Sequence, residues 1–268
     1  MTASLDRLEA AVRGWLDAGP RPLVLGLCGS QGSGKSTLAA RLSDRLTATG
    51  LKVATLSLDD LYLFGDDRAA LAHGIHPLLR TRGVPLTHDV DQGLSLIRAL
   101  KAGQPVRLPR FDKALDEPLP PRSWHPVTPP IDLLIFEGWC VGARPQPDAA
   151  LADPINALER AEDADAVWRT AVDTALGSGY ATLFAEIDRL VLLAAPGFAV
   201  VEHWRAEQEA ALRDRLDAEG RDTGGLMDAA AIGRFVQHYE RLTRWILTEM
   251  PERADLTLRL DEERRLLD

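Results

Sequence analysis

Cysteine is nearly absent from this chain: Cys28 and Cys140 are the only two in 268 residues, and they lie far apart. They can build neither a disulfide framework nor a cysteine-based zinc site. Each falls at the end of an apolar run and reads as a small core residue. Long hydrophobic runs are also missing; none approaches the roughly 20 residues that a membrane span needs. Positive charge is in deficit, with 31 Lys and Arg against 40 Asp and Glu, a net charge of −9. Wrapping nucleic acid requires clustered Lys and Arg, so nucleic acid is excluded as a main partner. Met1 is followed by Thr2-Ala3-Ser4-Leu5-Asp6, with neither the basic start nor the apolar stretch of a secretory signal. The expectation is a cytoplasmic protein that does not engage a membrane.

Apolar residues make up 46% of the chain, enough for a sizeable core. Residues 22–28, 52–58, 131–136, 188–194 and 254–260 are short apolar runs, most of them flanked by Gly, Pro or charged residues, and read as buried strands. Between and around them, Leu5–Leu16, Lys35–Thr49, Asp89–Ala102, Val200–Leu216 and Asp228–Thr248 have helical spacing, with further helical segments up to about Leu183. Residues 59–88 show little period and read as a functional loop region. Residues 105–124, rich in Pro and Arg, read as an edge hairpin or extended loop. Strands alternating with helices predict a doubly wound α/β fold: a mostly parallel five-stranded sheet with helices on both faces. No repeat or linker divides residues 1–268, so one domain is expected. Residues 1–19 would form its N-terminal helix.

The sharpest motif is Gly29-Ser30-Gln31-Gly32-Ser33-Gly34-Lys35-Ser36, which fits G-x-x-x-x-G-K-[ST] at every fixed position. It follows an expected strand and opens an expected helix, the context that confirms a P-loop. Glycines let backbone N–H groups turn inward as an anion nest, and the helix N-terminus adds partial positive charge. Gly29–Thr37 are therefore the candidate ATP site, with Lys35 on the β- and γ-phosphates and the Ser36 hydroxyl on Mg²⁺.

Ligands of such sheets bind at the carboxyl ends of the strands. Asp59 and Asp60 follow the second expected strand, and Glu137 follows the third. A carboxylate near the γ-phosphate can deprotonate the attacking hydroxyl or hold Mg²⁺. Asp59 is assigned as the base and Glu137 as the metal-side or water-ordering acid; Asp60 could instead be a capping or loop acid, and Glu137 a structural hydrogen-bond partner of the P-loop.

Ser57-Leu58-Asp59-Asp60-Leu61-Tyr62, with the Glu137-Gly138 pair, resembles the P-loop kinase branch that includes uridine kinase, phosphoribulokinase and pantothenate kinase. In that branch the acid matching Asp59 is the catalytic base. A finer resemblance is to D-glycerate 3-kinase and related kinase-like proteins. It rests on Arg82–Asp89, Leu108–Lys113, Phe136–Trp139, Trp204–Glu209 and Phe235–Tyr239. The resemblance implies an ATP- and Mg²⁺-dependent kinase acting on a small-molecule hydroxyl. It places acceptor binding in residues 59–130 and a helical lid in residues 196–225. Arg82, His88, Arg110 and Lys113 would meet an acceptor carboxylate, with Asp60, Tyr62, Asp89, Asp112 and Trp139 beside them. Asp112-Lys113 could also be a surface ion pair. A lid arginine would take up charge on the transferring phosphoryl group, with Arg205 preferred over Arg213. The chain departs from the family pattern at Leu86, where glycine is expected, and over Ala114–Pro121. His73 and His76 read as solvated.

The alternatives are a kinase of another metabolite, such as a nucleoside, a sugar or a pantothenate-like compound, a regulatory NTPase, or an inert P-loop module. A switch NTPase would usually carry Asn-Lys-x-Asp and an Asp-x-x-Gly acid; this sequence has no Asn-Lys-x-Asp, and its third strand ends in Glu-Gly. Monomer and homodimer both remain open.

Overall fold

The computed structural model describes residues 2–220 and 227–267, so the last part of the expected lid segment, 221–225, lies outside the described residues. The elements run α1 (Thr2–Ala18), β1 (Leu23–Gly29), α2 (Lys35–Ala48), β2 (Val53–Ser57), α3 (Gly65–Gly74) and α4 (Val90–Lys101). Short strands follow: β3 (Val106–Leu108), β4 (Phe111–Asp112), β5 (Glu117–Pro118) and β6 (His125–Val127). Then come β7 (Leu133–Gly138), α5 (Ala157–Glu162), α6 (Val167–Gly177), α7 (Gly179–Phe184), β8 (Arg189–Ala194), α8 (Ala199–Ala218), α9 (Ala229–Glu249) and β9 (Leu256–Arg259).

Among the described residues the main sheet has five strands in the order β2-β7-β1-β8-β9, and every pairing is parallel. All five expected strands are present. β1, β7 and most of β8 are buried on both faces, which is why they read as unbroken apolar runs. Alternate residues serve two cores. Leu23, Leu25, Leu27, Leu133, Ile135, Val191 and Leu193 meet α1 and α2 through Leu5, Leu8, Val12, Leu38, Leu42 and Leu46. Val24, Cys28, Leu56, Leu134, Phe136 and Leu192 face Ile97, Tyr180, Leu183, Leu242 and Ile246. Leu38, Leu42 and Leu46 recur every four residues, so one stripe of α2 covers the sheet. Truncating Leu42, wholly buried, to Ala would cost about 2–5 kcal/mol. Both cysteines are buried and free.

Two sequence expectations need correction. Residues 59–88 are not an open loop: they hold a 3₁₀ turn (Leu58–Leu61), α3 and a second 3₁₀ turn (Pro77–Arg80). α3 buries little besides Arg68, so it carries no apolar stripe to be read. His76 is not solvated either; its Nδ1 accepts from the Leu78 N–H at 3.3 Å and caps the second turn. Residues 105–127 form two nested hairpin pairs, β3 with β6 and β4 with β5.

Register places the chemistry. Ser57 lies beside Glu137, and Glu137 beside Leu27, so the ends of β2, β7 and β1 stand side by side. Asp59, Glu137 and the Gly29–Ser36 loop therefore emerge at one edge of the sheet.

Candidate active site

The P-loop leaves β1 and enters α2 through Gly32 at φ 76° and Gly34 at φ 86°, a left-handed path open to glycine. Gly34 occupies the N-cap of α2 and no side chain caps the helix, so its first N–H groups stay available to an anion. The hydroxyls of Ser30 and Ser33 are buried without hydrogen-bond partners. Such a cradle suits phosphate oxygens.

Ser36 donates its hydroxyl hydrogen to Glu137 Oε1 at 2.9 Å. Glu137 is 5% exposed, and its Oε2 is buried with no partner. A buried carboxylate oxygen left unpaired is costly unless something meets it. The Ser36 oxygen and Glu137 Oε2 form a donor set that fits Mg²⁺, which is usually held by one or two protein oxygens plus substrate phosphates. Among the described residues no His, Cys, Asp and Glu cluster could hold a metal alone.

Asp59 sits just past β2, in the turn started by Ser57, whose Oγ accepts its N–H. Both its carboxylate oxygens are engaged: Tyr62 donates to Oδ1 at 2.8 Å, and Lys113 Nζ lies 2.6 Å from Oδ2. Burial alone would raise its pKa. The ammoniums of Lys113 and Lys35, with the two hydrogen bonds, overturn this and hold the carboxyl well below the usual carboxylate range. Asp60 moves the opposite way, raised by burial and only partly offset by the Phe111 N–H and Arg110. It accepts from Arg110 at 2.7 Å and from Phe111 N at 3.0 Å, tying the β4 hairpin to the end of β2. The two neighbouring acids thus sit in opposite electrostatic settings.

His88 is buried and stacks on Tyr62 with ring centroids 4.6 Å apart. Leu86 N–H donates to the Tyr180 oxygen at 3.1 Å, so the phenol hydrogen is left to bond His88 Nδ1, 2.6 Å away. This network assigns the ring proton to Nε2, an N–H with no partner. Burial pushes the His88 pKa down to about 3, against the pull of Asp59, so the ring is neutral. It offers one fixed donor near Asp59.

The remaining candidates have defined partners. Arg82 pairs with Asp116, lies over the Phe111 ring at 5.5 Å and is held near α9 by Tyr239 Oη, which donates to the Arg82 carbonyl at 3.0 Å. Asp116 also accepts from the buried Arg68 at 2.8 Å. Asp112 does not pair with Lys113; it accepts the N–H groups of Ala114 and Leu115 and shapes the hairpin turn. Asp89 caps α4 by accepting the Gln92 N–H at 2.9 Å. Trp139 is not an open wall of the cleft: at 3% exposed it packs edge-on against Tyr239 and donates to the Gly83 carbonyl at 2.7 Å. Thr37 is exposed on the first turn of α2. In α8, Arg205 pairs with Glu209 at 2.6 Å and lies over the Phe235 ring, whereas Arg213 is exposed.

Sequence reasoning missed the outer wall of the P-loop. Trp204 of α8 packs so tightly there that a Cβ on Gly32 would come within 2.4 Å of it. Arg264 stacks on Trp204 and donates to the Gly32 carbonyl at 2.6 Å. A cleft of about 400 Å³ opens beside it, lined by Val200, His203, Glu207 and Glu262 among others. No short-range pattern links Gly32 to a residue 232 positions away.

An uncharacterised kinase of Schizosaccharomyces pombe is 34% identical over 229 residues, spanning 82% of this chain and 79% of its own length. The model of the Phosphoribulokinase / Uridine kinase family matches residues 24–144. The chain belongs to this family. It is an ATP-using kinase whose acceptor group is a hydroxyl. A chloroplastic D-glycerate 3-kinase of Arabidopsis thaliana is 28% identical over 91% of this chain and 53% of its own length. The structure of a D-glycerate 3-kinase from Cryptococcus neoformans var. grubii superposes with a TM-score of 0.80 at 25% identity, covering 99% of this chain and 98% of that one. Among the described residues no helix is long and apolar enough to cross a membrane.

Leu86, where the sequence reading expects glycine, has a left-handed backbone at φ 86°. The Ala114–Pro121 stretch supplies Asp116, which holds Arg82, and Glu117, whose carboxylate accepts the Gly65 N–H at 3.2 Å.

Proposed function

We propose that this kinase transfers the γ-phosphate of Mg-ATP to a hydroxyl of D-glycerate or a similar small hydroxy acid. The observation that carries this reading is the juxtaposition of a candidate base and a cation, Asp59 Oδ2 and Lys113 Nζ at 2.6 Å. Arg82 and Arg110 stand in the same insertion, so a small acceptor could present its hydroxyl to Asp59 and its carboxylate to cations at once. The resemblance to D-glycerate 3-kinases across most of the chain supports the same class.

Residues 59–130 are the proposed acceptor-binding part and α8 the described part of the lid. The P-loop N–H groups and Lys35 hold the β- and γ-phosphates. Ser36 and Glu137 would hold Mg²⁺, which neutralises charge on the phosphate oxygens. Asp59 takes the proton of the attacking hydroxyl, and His88 Nε2–H donates to the acceptor. Arg205, released from Glu209, supports the transferring group. The cleft beside Arg264 is the proposed seat of the nucleobase.

The test is ADP release with Mg-ATP and a panel of D-glycerate, L-glycerate, pantothenate, uridine and ribulose 5-phosphate. ADP release that depends on D-glycerate, with phosphoglycerate as product, is the expected result. A response confined to uridine or pantothenate overturns the hydroxy-acid reading.

A further inference from the structure

We propose that Lys113 gates the base: an anionic acceptor draws the ammonium off Asp59 Oδ2, and only then can Asp59 take the acceptor's proton. This rests on the reading of Asp59 as base and goes beyond it by making acceptor charge the trigger.

Every cation of the acceptor insertion assigned above already has a carboxylate partner. Arg82 is paired with Asp116, which the buried Arg68 also holds. Arg110 is paired with Asp60, itself fixed by the Phe111 N–H. Lys113 is paired with Asp59. An anion entering this site competes with these carboxylates for their cations.

Lys113 is the one that can leave. Its side chain is 63% exposed, against 40% for Arg110 and 27% for Arg82, and an exposed lysine pair is weakly held. It stands on the β4–β5 turn and bonds the base through a single ammonium. Arg82 is braced by the Phe111 ring, and Arg110 is paired with an acid that a backbone N–H fixes in place.

Its departure changes what Asp59 can do. With Tyr62 on Oδ1 and Lys113 on Oδ2, both oxygens are engaged by donors, and the adjacent cation makes the carboxylate a poor proton acceptor. Once the ammonium turns to the acceptor's anionic group, Oδ2 faces the hydroxyl. The hydroxyl proton passes to Asp59 and the acceptor oxygen bonds the γ-phosphorus. The bond from that phosphorus to the β,γ-bridging oxygen breaks, and its electron pair leaves with ADP. A neutral acceptor, or water, gives Lys113 no reason to move. The gate thus selects for charge and also suppresses hydrolysis of ATP.

The experiment compares wild type, Lys113→Met, Lys113→Arg and Lys113→Met/Asp59→Asn. Two quantities are measured: ADP release without acceptor, and kcat/KM for D-glycerate against glycerol, its uncharged analogue. In Lys113→Met, acceptor-free hydrolysis is expected to rise at least fivefold and to return to the wild-type level in the double variant. Its preference for glycerate over glycerol should fall at least 30-fold, while Lys113→Arg keeps the preference. Unchanged acceptor-free hydrolysis in Lys113→Met overturns the gate, whatever the acceptor proves to be. Raised hydrolysis with no response to D-glycerate supports the gate and refutes only the choice of substrate.

Discussion

Ser36, on the first turn of α2, donates to Glu137 at the end of β7 across 2.9 Å, and this one bond satisfies only half of a buried carboxylate. Glu137→Gln keeps the shape and an acceptor for Ser36 but removes the charge proposed to meet Mg²⁺. The Mg²⁺ concentration for half-maximal activity is expected to rise at least tenfold. The melting temperature should hold or increase, because an uncompensated buried charge is lost. A Mg²⁺ titration beside a thermal melt checks both; an unmoved Mg²⁺ requirement would place the ion elsewhere.

The neighbours Asp59 and Asp60 should separate cleanly. Asp59→Asn is expected to lower kcat by roughly 10²- to 10⁴-fold, the usual contribution of a general base. Asp60→Asn weakens the hold on Arg110 and the β4 hairpin, so it should raise the acceptor KM several-fold with a smaller effect on kcat. Steady-state kinetics on both variants decide it, and the reverse pattern would exchange the two roles.

Lys35→Ala should lower kcat by roughly 10²-fold or more, in the range for losing one preorganised charge-stabilising donor. Circular dichroism should be unchanged, since Lys35 contributes to neither core cluster. Activity within about threefold of wild type would remove the phosphate assignment.

His88 links stability to pH. Its folded pKa of about 3 lies below the unfolded value near 6.5, so the folded chain refuses a proton that the unfolded chain accepts. The stability is complete above about pH 6.5 and is lost as pH falls toward 3. For this one group the loss between pH 7 and 5 is roughly 2 kcal/mol. Asp59, lowered from 3.8, acts only below that window. Urea unfolding at the two pH values should show a smaller drop for His88→Gln than for wild type; equal drops would contradict a neutral buried ring.

The centre of the sheet was legible because β1, β7 and most of β8 are doubly buried and bounded by breakers, and the P-loop because its phosphate chemistry fixes residue types at fixed spacing. Glu137 and Asp59 followed from the rule that ligands gather at strand ends. α3 was not legible, since Arg68 is its one buried side chain among small, polar and half-exposed neighbours. The Lys113–Asp59 contact was hidden because hairpin geometry, not spacing, brings the β4–β5 turn onto the end of β2. Trp139 follows Glu137 by two residues but lies past the end of β7 and is buried against Tyr239, which proximity in sequence does not show.

Arg264 spans the distance from the chain's closing residues to Gly32, while Glu207 holds its other nitrogen at 2.6 Å and Trp204 lies beneath it. The tail after β9 is thus a handle on the nucleotide loop. An Arg264→Ala substitution would be felt as weaker ATP affinity rather than as a loss of fold, because Leu260 and Leu266 of the same segment keep their core packing.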